Sequence, residues 1–300
     1  MRLTKLGEFN FINRISQGIK LSHEVVKGIG DDAAVFKYTK YKYLLFTTDM
    51  LVEGRHFYKN EKLELIGWKS LCCSVSDIAA MGGIPKFAVI SVGLPGFLNV
   101  TDADSLYKGI KKAANIFNID LVGGDTVSSK DIIINIALLG EVEKNNLVLR
   151  SGAKKNDGIF LTGNIGGSIK GRHLDFMPRL KEARFLVKNF KINSMIDISD
   201  GLLADLGHIL DESRKGAMIY ERCIPVSTNA DDFNSAIREG EDFELIFTLP
   251  EEDACMLLKI WPFKTPLSKI GLICTDNRGF SIIRRNGKQE KVKPVGFTHF

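Results

Sequence analysis

The chain has 300 residues, of which 44% are apolar and 26% charged, with a formal net charge of +5; this is ordinary for a soluble globular protein with a sizeable core in one large domain or two. The positive excess is spread over short clusters, at 37–42, 108–112 and 284–293, which reads as solvated surface rather than a nucleic-acid face and would help to capture phosphorylated substrates. No apolar run reaches the ~18 residues needed to span a bilayer, the N-terminus lacks a signal-peptide core, and the five cysteines form no Cys-x-x-Cys, so a cytoplasmic protein is expected, with no membrane partner, no disulfide framework, no zinc site and buried free thiols.

In chain order, Phe9, Ile12 and Ile15 at helical spacing predict a short amphipathic helix over 8–18. Gly28-Ile29-Gly30-Asp31-Asp32 then allows a tight turn that projects both acids ahead of the apolar Ala33 to Phe36; a surface turn capped by Asp is the alternative. The strand Tyr43 to Thr48 opens the stretch on which the chain is organised. There, Phe46-Thr47-Thr48-Asp49-Met50-Leu51-Val52-Glu53-Gly54-Arg55-His56-Phe57 sets two hydroxyls and a carboxylate where the strand is expected to leave the sheet. Residues 63–81 read as one long helix with Leu65, Trp68, Leu71, Val75 and Ile78 on its core face. Asp77 lies on that stripe near the helix C-terminus, where both burial and the dipole disfavour an anion, so a metal or a lysine partner is expected.

A strand over 86–94 and a helix over 101–118, capped by Thr101 or Asp102, follow. Residues 120–122 read as a short strand running into Gly123-Gly124-Asp125-Thr126, an arrangement that can bring amides and a carboxylate to a phosphate and its metal. Residues 131–141 are apolar on both faces and predict a central strand, or one with a face in a subunit interface. The polar segment 150–158 reads as a linker, which divides the chain into an N-terminal domain, 1–148, and a C-terminal domain, 149–300.

A second α/β pattern begins with a strand over 159–162 and the glycine-rich turn 163–168, which lacks both the P-loop ending and dinucleotide spacing. Residues 195–203 alternate so that Asp197 and Ser199 share a face. The helix over 202–213 starts beside Asp200, for which a cap is the alternative reading. Gly240-Glu241-Asp242-Phe243-Glu244 leads into another strand with acids at its mouth, and 251–300 is expected to hold a helix and two or three strands. No nucleophile apparatus is visible: the histidines share no metal-ligand spacing and Ser151 lacks an elbow context, with His56 kept because it follows the central motif. Hard cations take oxygen ligands, and Asp31 or Asp32, Thr47, Thr48, Asp49, Asp77, Asp125, Asp197 and Asp200 supply them. Phosphoryl transfer needs mainly positioning and charge neutralisation, so the inventory points to a magnesium and phosphate enzyme.

Seven motifs in order (28–34, 47–57, 76–83, 123–126, 150–154, 197–202 and 240–245) resemble those of thiamine-monophosphate kinases, over a span from Gly7 to Phe300. The resemblance implies an α/β fold of mixed sheets, the two-domain fold shared with aminoimidazole ribonucleotide synthetase, in which N-terminal domains pair as a β-barrel at the centre of a homodimer. It implies transfer from ATP to thiamine monophosphate, giving thiamine diphosphate by direct in-line attack. Asp32, Thr47, Thr48, Asp49, Asp77, Asp125, Asp197 and Asp200 would hold several magnesium ions. Tyr107, Gly124, Asp125, Arg150 and Ser199 would contact ATP, and His56, Glu241 and Phe297 the thiamine monophosphate, with Asp49, Asp125 and Arg150 as the catalytic group. Arg55 stands where relatives carry a smaller residue, and Pro294 and Phe297 where the family offers an aromatic ring.

Relatives of the same fold fit less well. Selenophosphate synthetase is expected to carry a reactive cysteine near the N-terminus, whereas the first here is Cys72; the hydrogenase-maturation relative is expected to end in a cysteine-bearing tail, whereas this chain ends in His299-Phe300. Aminoimidazole ribonucleotide synthetase matches the motif wording less closely. A non-catalytic nucleotide or thiamine-phosphate sensor would have little reason to retain the whole acid set.

Overall fold

The computed structural model describes residues 2–275 and 279–299; Phe300, where the motif resemblance ends, lies outside them. Two mixed sheets are built one after the other along the chain. The first comprises β1 (Val25–Lys27), β2 (Ala34–Lys37), β3 (Lys42–Val52), β4 (Ile84–Leu94), β5 (Asp120–Ser128) and β6 (Ile133–Glu143), in the order β1-β2-β3-β6-β4-β5. The second comprises β7 (Gly158–Thr162), β8 (Ser194–Asp197), β9 (Lys215–Tyr220), β10 (Leu245–Leu249), β11 (Leu267–Thr275), β12 (Phe280–Ile283) and β13 (Gln289–Lys291), ordered β13-β12-β9-β11-β7-β10-β8. The helices are α1 (Leu3–Leu6), α2 (Glu8–Ser16), α3 (Leu63–Ala80), α4 (Val100–Phe117), α5 (Arg172–Asp175), α6 (Leu180–Asn189), α7 (Leu202–Ser213), α8 (Phe233–Ala236) and α9 (Glu251–Ile260). None among the described residues is long and apolar enough to cross a membrane.

Helix α3 organises the packing. It is buried on nearly every side, as expected of a helix with apolar residues all round. One face lies on the first sheet, with Leu71, Val75 and Ile78 in a core shared with Leu45, Ile136 and Leu138; at its C-terminal end Ala79 and Ala80 join a core with Phe160, Met195 and Phe247 of the second sheet. The end of α3 is therefore where the two sheets' cores meet.

Strand lengths differ from the sequence reading at the motifs. Beyond Thr48, β3 continues to Val52, and Thr47, Thr48 and Asp49 pair in register with Leu138, Ala137 and Ile136. These residues sit within the strand, not at its exit, because unbroken pairing with long β6 outweighs the local polar signal. Likewise Gly123-Gly124-Asp125-Thr126 is strand, not turn: β5 pairs in parallel with β4 through Ser128. A Cβ on Gly124 would collide with the Ile90 carbonyl, so glycine there serves close strand approach. The central strand expected over 131–141 is β6, shifted two residues along. Its inward side chains, Ile134, Ile136 and Leu138, are fully buried and its outward ones half-buried. Cys72, Cys73 and Cys274 are buried free thiols, but Cys223 is half-buried and Cys255 exposed on α9, so the expectation of burial fails for those two.

Candidate active site

Four acids from four separate segments converge where α3 ends. Thr47 and Asp49 occupy the inner face of β3 by strand alternation, Asp77 the last turn of α3, Asp197 the end of β8, and Asp32 the turn before β2. Asp32, Asp77 and Asp197 offer carboxylate oxygens within 4.8 Å of one another. The Thr47 hydroxyl donates to Asp77 at 2.5 Å, Ser74 to Asp49 at 2.8 Å and Ser76 to Asp197 at 2.5 Å. Among the described residues one cation is in contact: Arg150 Nη2 lies 2.7 Å from Asp32 Oδ1. The neighbouring acid is used differently, since Asp31 accepts from the Arg150 backbone amide at 3.2 Å. The structure thus separates the Asp31-Asp32 pair, turning Asp32 into the cluster.

This concentration of buried negative charge resists ionisation. Burial, then the charge of Asp32, pushes Asp197 up to about 8; burial, then Asp49 and Asp197, raises Asp77 well above the usual carboxylate range. Asp49 is raised by burial, with the Ser74 hydrogen bond opposing. Asp32 Oδ2 and Arg150 Nε are buried with no hydrogen-bond partner among the described residues. An all-oxygen donor set with an orphaned carboxylate oxygen fits a hard divalent cation, and an orphaned guanidinium N–H suits a phosphate oxygen.

Next to the acids lies a cavity of about 370 Å³. The three residues expected to meet the substrate, His56, Glu241 and Phe297, all line it, and Arg55 shares the wall. His56 Nδ1 accepts the Val52 amide at 3.0 Å, and burial, with the charges of His299 and Lys69, pushes the ring down to about 4. Glu241 adopts φ 67, a left-handed conformation unusual for its type. Its amide bonds to the Ser199 carbonyl at 2.7 Å, and its carboxylate reaches Lys69 Nζ at 2.5 Å. The fully buried Lys69 and His173 also belong to this region. Neither was singled out in the sequence: Lys69 looks like one lysine among many, and only its place on α3, a turn before Cys73, hinted at burial.

Other expected site residues lie apart. Thr48 points to the outer face of the first sheet, with its hydroxyl 3.0 Å from Asn135 Oδ1. Asp125 is exposed at the edge and, paired with Ser91, faces the same outer side. Neither side chain joins the inner cluster within this chain. Gly124 is on the edge strand, and Tyr107 on α4 is half-buried against the first core. Ser199 is exposed beside the cluster. Asp200 does not cap α7. Instead Asp205, absent from the sequence reading, accepts the amides of Asp200 at 3.1 Å and Gly201 at 2.9 Å, and groups with Asp200 and His208. Burial, then Glu8, pushes Asp200 up to about 6.

Comparison with known proteins gives a consistent picture. Residues 30–142 match the family model "AIR synthase related protein, N-terminal domain". The thiamine-monophosphate kinase of Buchnera aphidicola subsp. Schizaphis graminum is 35% identical, over 98% of this chain and 99% of the relative. A solved structure of AaThiL complexed with AMPPCP and TMP superposes with a TM-score of 0.86 at 33% identity, covering 100% of this chain and 99% of that one. The hydrogenase maturation protein HypE in complex with ATP, at 20% identity and a TM-score of 0.72 over 93% of each chain, shares the fold.

Proposed function

This chain belongs to the thiamine-monophosphate kinase family, and we propose that it transfers the terminal phosphoryl group of ATP to thiamine monophosphate, yielding ADP and thiamine diphosphate in thiamine diphosphate biosynthesis. The observation that carries this reading is the junction of an under-neutralised acid cluster with the cavity where His56, Glu241 and Phe297 meet. An oxygen of the acceptor phosphate forms the new bond to the γ-phosphorus while the bond to the bridging oxygen breaks, and ADP leaves with that electron pair. The acceptor is anionic near neutral pH, so no strong base is required, in keeping with the absence of a nucleophile–base pair from the motifs.

Asp32, Thr47, Asp49, Asp77, Asp197 and Asp200 are the groups that would hold magnesium ions. Magnesium at this site would neutralise phosphate charge and align donor and acceptor. Arg150, anchored by Asp32 and with Nε uncommitted, contacts the transferring phosphate, and Ser199 borders the ATP phosphates. Tyr107 and Gly124 are assigned to ATP by motif.

Thr48 and Asp125 require a second copy. β3 and β5 are three strand spacings apart in the sheet, about 14 Å, so one ion cannot touch both within a chain. They share the outer face with Phe46, Met50, Phe87 and Val89, all exposed, a patch of the kind that marks an interface. We therefore propose a homodimer in which outer faces meet as a barrel, 1–148 acting as the pairing domain and 149–300 completing the site.

The direct test is to incubate the protein with ATP, magnesium and thiamine monophosphate and separate the products by chromatography. Thiamine diphosphate and ADP should form in equal amounts and only with magnesium. ATP left intact while both ligands bind would favour a sensor instead.

A further inference from the structure

The Lys69 ammonium, fully buried on α3, donates to the His56 carbonyl oxygen at 2.7 Å and to His173 Nδ1 at 3.0 Å, and forms an ion pair with Glu241 Oε2 at 2.5 Å. An ammonium can only donate, so His173 Nδ1 accepts and the ring carries its proton on Nε2. That Nε2 is buried, without a hydrogen-bond partner among the described residues. It lies 3.7 Å from Glu61 Oε1, beyond hydrogen-bonding reach. His173 itself is 1% exposed and forms part of the cavity wall. A buried donor left unpaired carries a desolvation cost that a ligand acceptor would recover.

We propose that His173 contacts the aminopyrimidine ring of thiamine monophosphate, its Nε2–H donating to a ring nitrogen, and that Lys69 is the positioning residue that fixes this tautomer while holding Glu241 and the His56 segment. The assignment rests on the substrate reading above and adds which end of the substrate lies where. The Glu241 amide bonds to the Ser199 carbonyl at 2.7 Å, beside Asp200, and Glu241 is therefore the near side of the cavity. Lys69 touches both Glu241 and His173 and so links the two across the cavity wall. With the phosphate at the acids, the thiazolium cation falls beside the Glu241 carboxylate and the aminopyrimidine, at the far end of the molecule, reaches His173. Burial, reinforced by the Lys69 charge, pushes His173 down to about 4, so the ring remains neutral with a fixed donor edge.

Two variants separate contact from packing. His173→Phe fills the ring's volume without a donor, and His173→Gln can place an amide nitrogen near the Nε2 position. The Phe variant should raise KM for thiamine monophosphate about tenfold or more at an unchanged KM for ATP, and the Gln variant should recover most of that loss. A KM for thiamine monophosphate within about twofold of wild type in folded His173→Phe, or a parallel rise for both substrates, would overturn the assignment. Nitrogen NMR of histidine-labelled wild type does not depend on variant folding. It should show His173 protonated at Nε2, with that resonance moving on addition of thiamine monophosphate; a proton on Nδ1, or a resonance unmoved at saturation, overturns it. Failure of the kinase reading would appear separately, as no thiamine diphosphate from wild type, while the NMR titration still decides the contact.

Discussion

Among the buried acids of the described residues, two groups are neutralised in opposite ways. In the second half, Asp242 and Glu244, both almost fully buried, face Arg172 and Arg179. Arg179 binds Glu244 through Nε at 2.6 Å and Nη2 at 2.5 Å, and Arg172 binds Asp242 at 2.8 Å and Glu244 at 3.1 Å. Ser168 and the Gly166 amide complete the shell of Asp242. Two guanidinium groups meet two carboxylates. At the end of α3, by contrast, Asp32, Asp49, Asp77 and Asp197 share one guanidinium, Arg150. Buried charge is tolerated when paired and costly when not. The first group is thus complete as it stands and holds the fold, while the second is under-neutralised by its own chain and would be completed by cations from outside, which is what a phosphate site can use.

The sharpest way to break this contrast is Asp49→Asn. If the cluster exists for cations, losing one ligand should lower turnover by about three orders of magnitude or more. The metal-free protein should melt no earlier than wild type, because one source of repulsion has gone. Near-normal turnover, or a large loss of metal-free stability, would show that Asp49 belongs with the structural acids.

At the paired group the expected effects reverse. Arg179→Leu leaves the Glu244 carboxylate buried without its bidentate partner, and breaking such a pair costs about 3–5 kcal/mol. Urea unfolding should show the loss directly, while added magnesium should still raise the melting temperature of the folded fraction. A midpoint unchanged from wild type would mean that Arg172 alone satisfies Glu244.

The difference between the groups was only partly legible in the sequence. The acids at 32, 49, 77 and 197 stood out because each sits in a setting of small or apolar residues, and the Asp77 stripe on α3 called for a cation. Their convergence is a matter of tertiary contact between α3 and β8, which local periodicity does not report. Asp242 and Glu244 lie in the same motif as Glu241 and looked alike; only the arginines at 172 and 179, some seventy residues away, mark them as structural. Strand extent was misread at 47–49 and 123–126 because local polarity and glycine signal an exit, whereas long partners β6 and β4 keep these residues in the sheet. Beyond the place of Lys69 on the apolar α3, Lys69 and His173 left no signal of their pairing, since a lysine and a histidine 104 residues apart become a pair only once α3 and α5 pack together.

The last contrast is in pH. Asp197 is raised from 3.8 to about 8 in the folded protein, by burial and then by Asp32. Between those values the native state keeps a proton that the unfolded chain has released. Stability of the metal-free protein should therefore fall as pH rises through this window. Asp77 and Asp49, raised in the same direction, add to the slope. Magnesium at this site would take the deprotonated form and displace these protons, so its stabilising effect should grow with pH, by several degrees of melting temperature between about pH 5 and pH 8. Melting curves with and without magnesium across that range measure both trends. A magnesium shift larger at pH 5 than at pH 8 would mean that the ion binds elsewhere. The Arg-paired acids act as an internal reference: Arg179→Leu should lower the whole curve without changing how the magnesium shift depends on pH, because Glu244 lies outside the cluster that the ion would deprotonate.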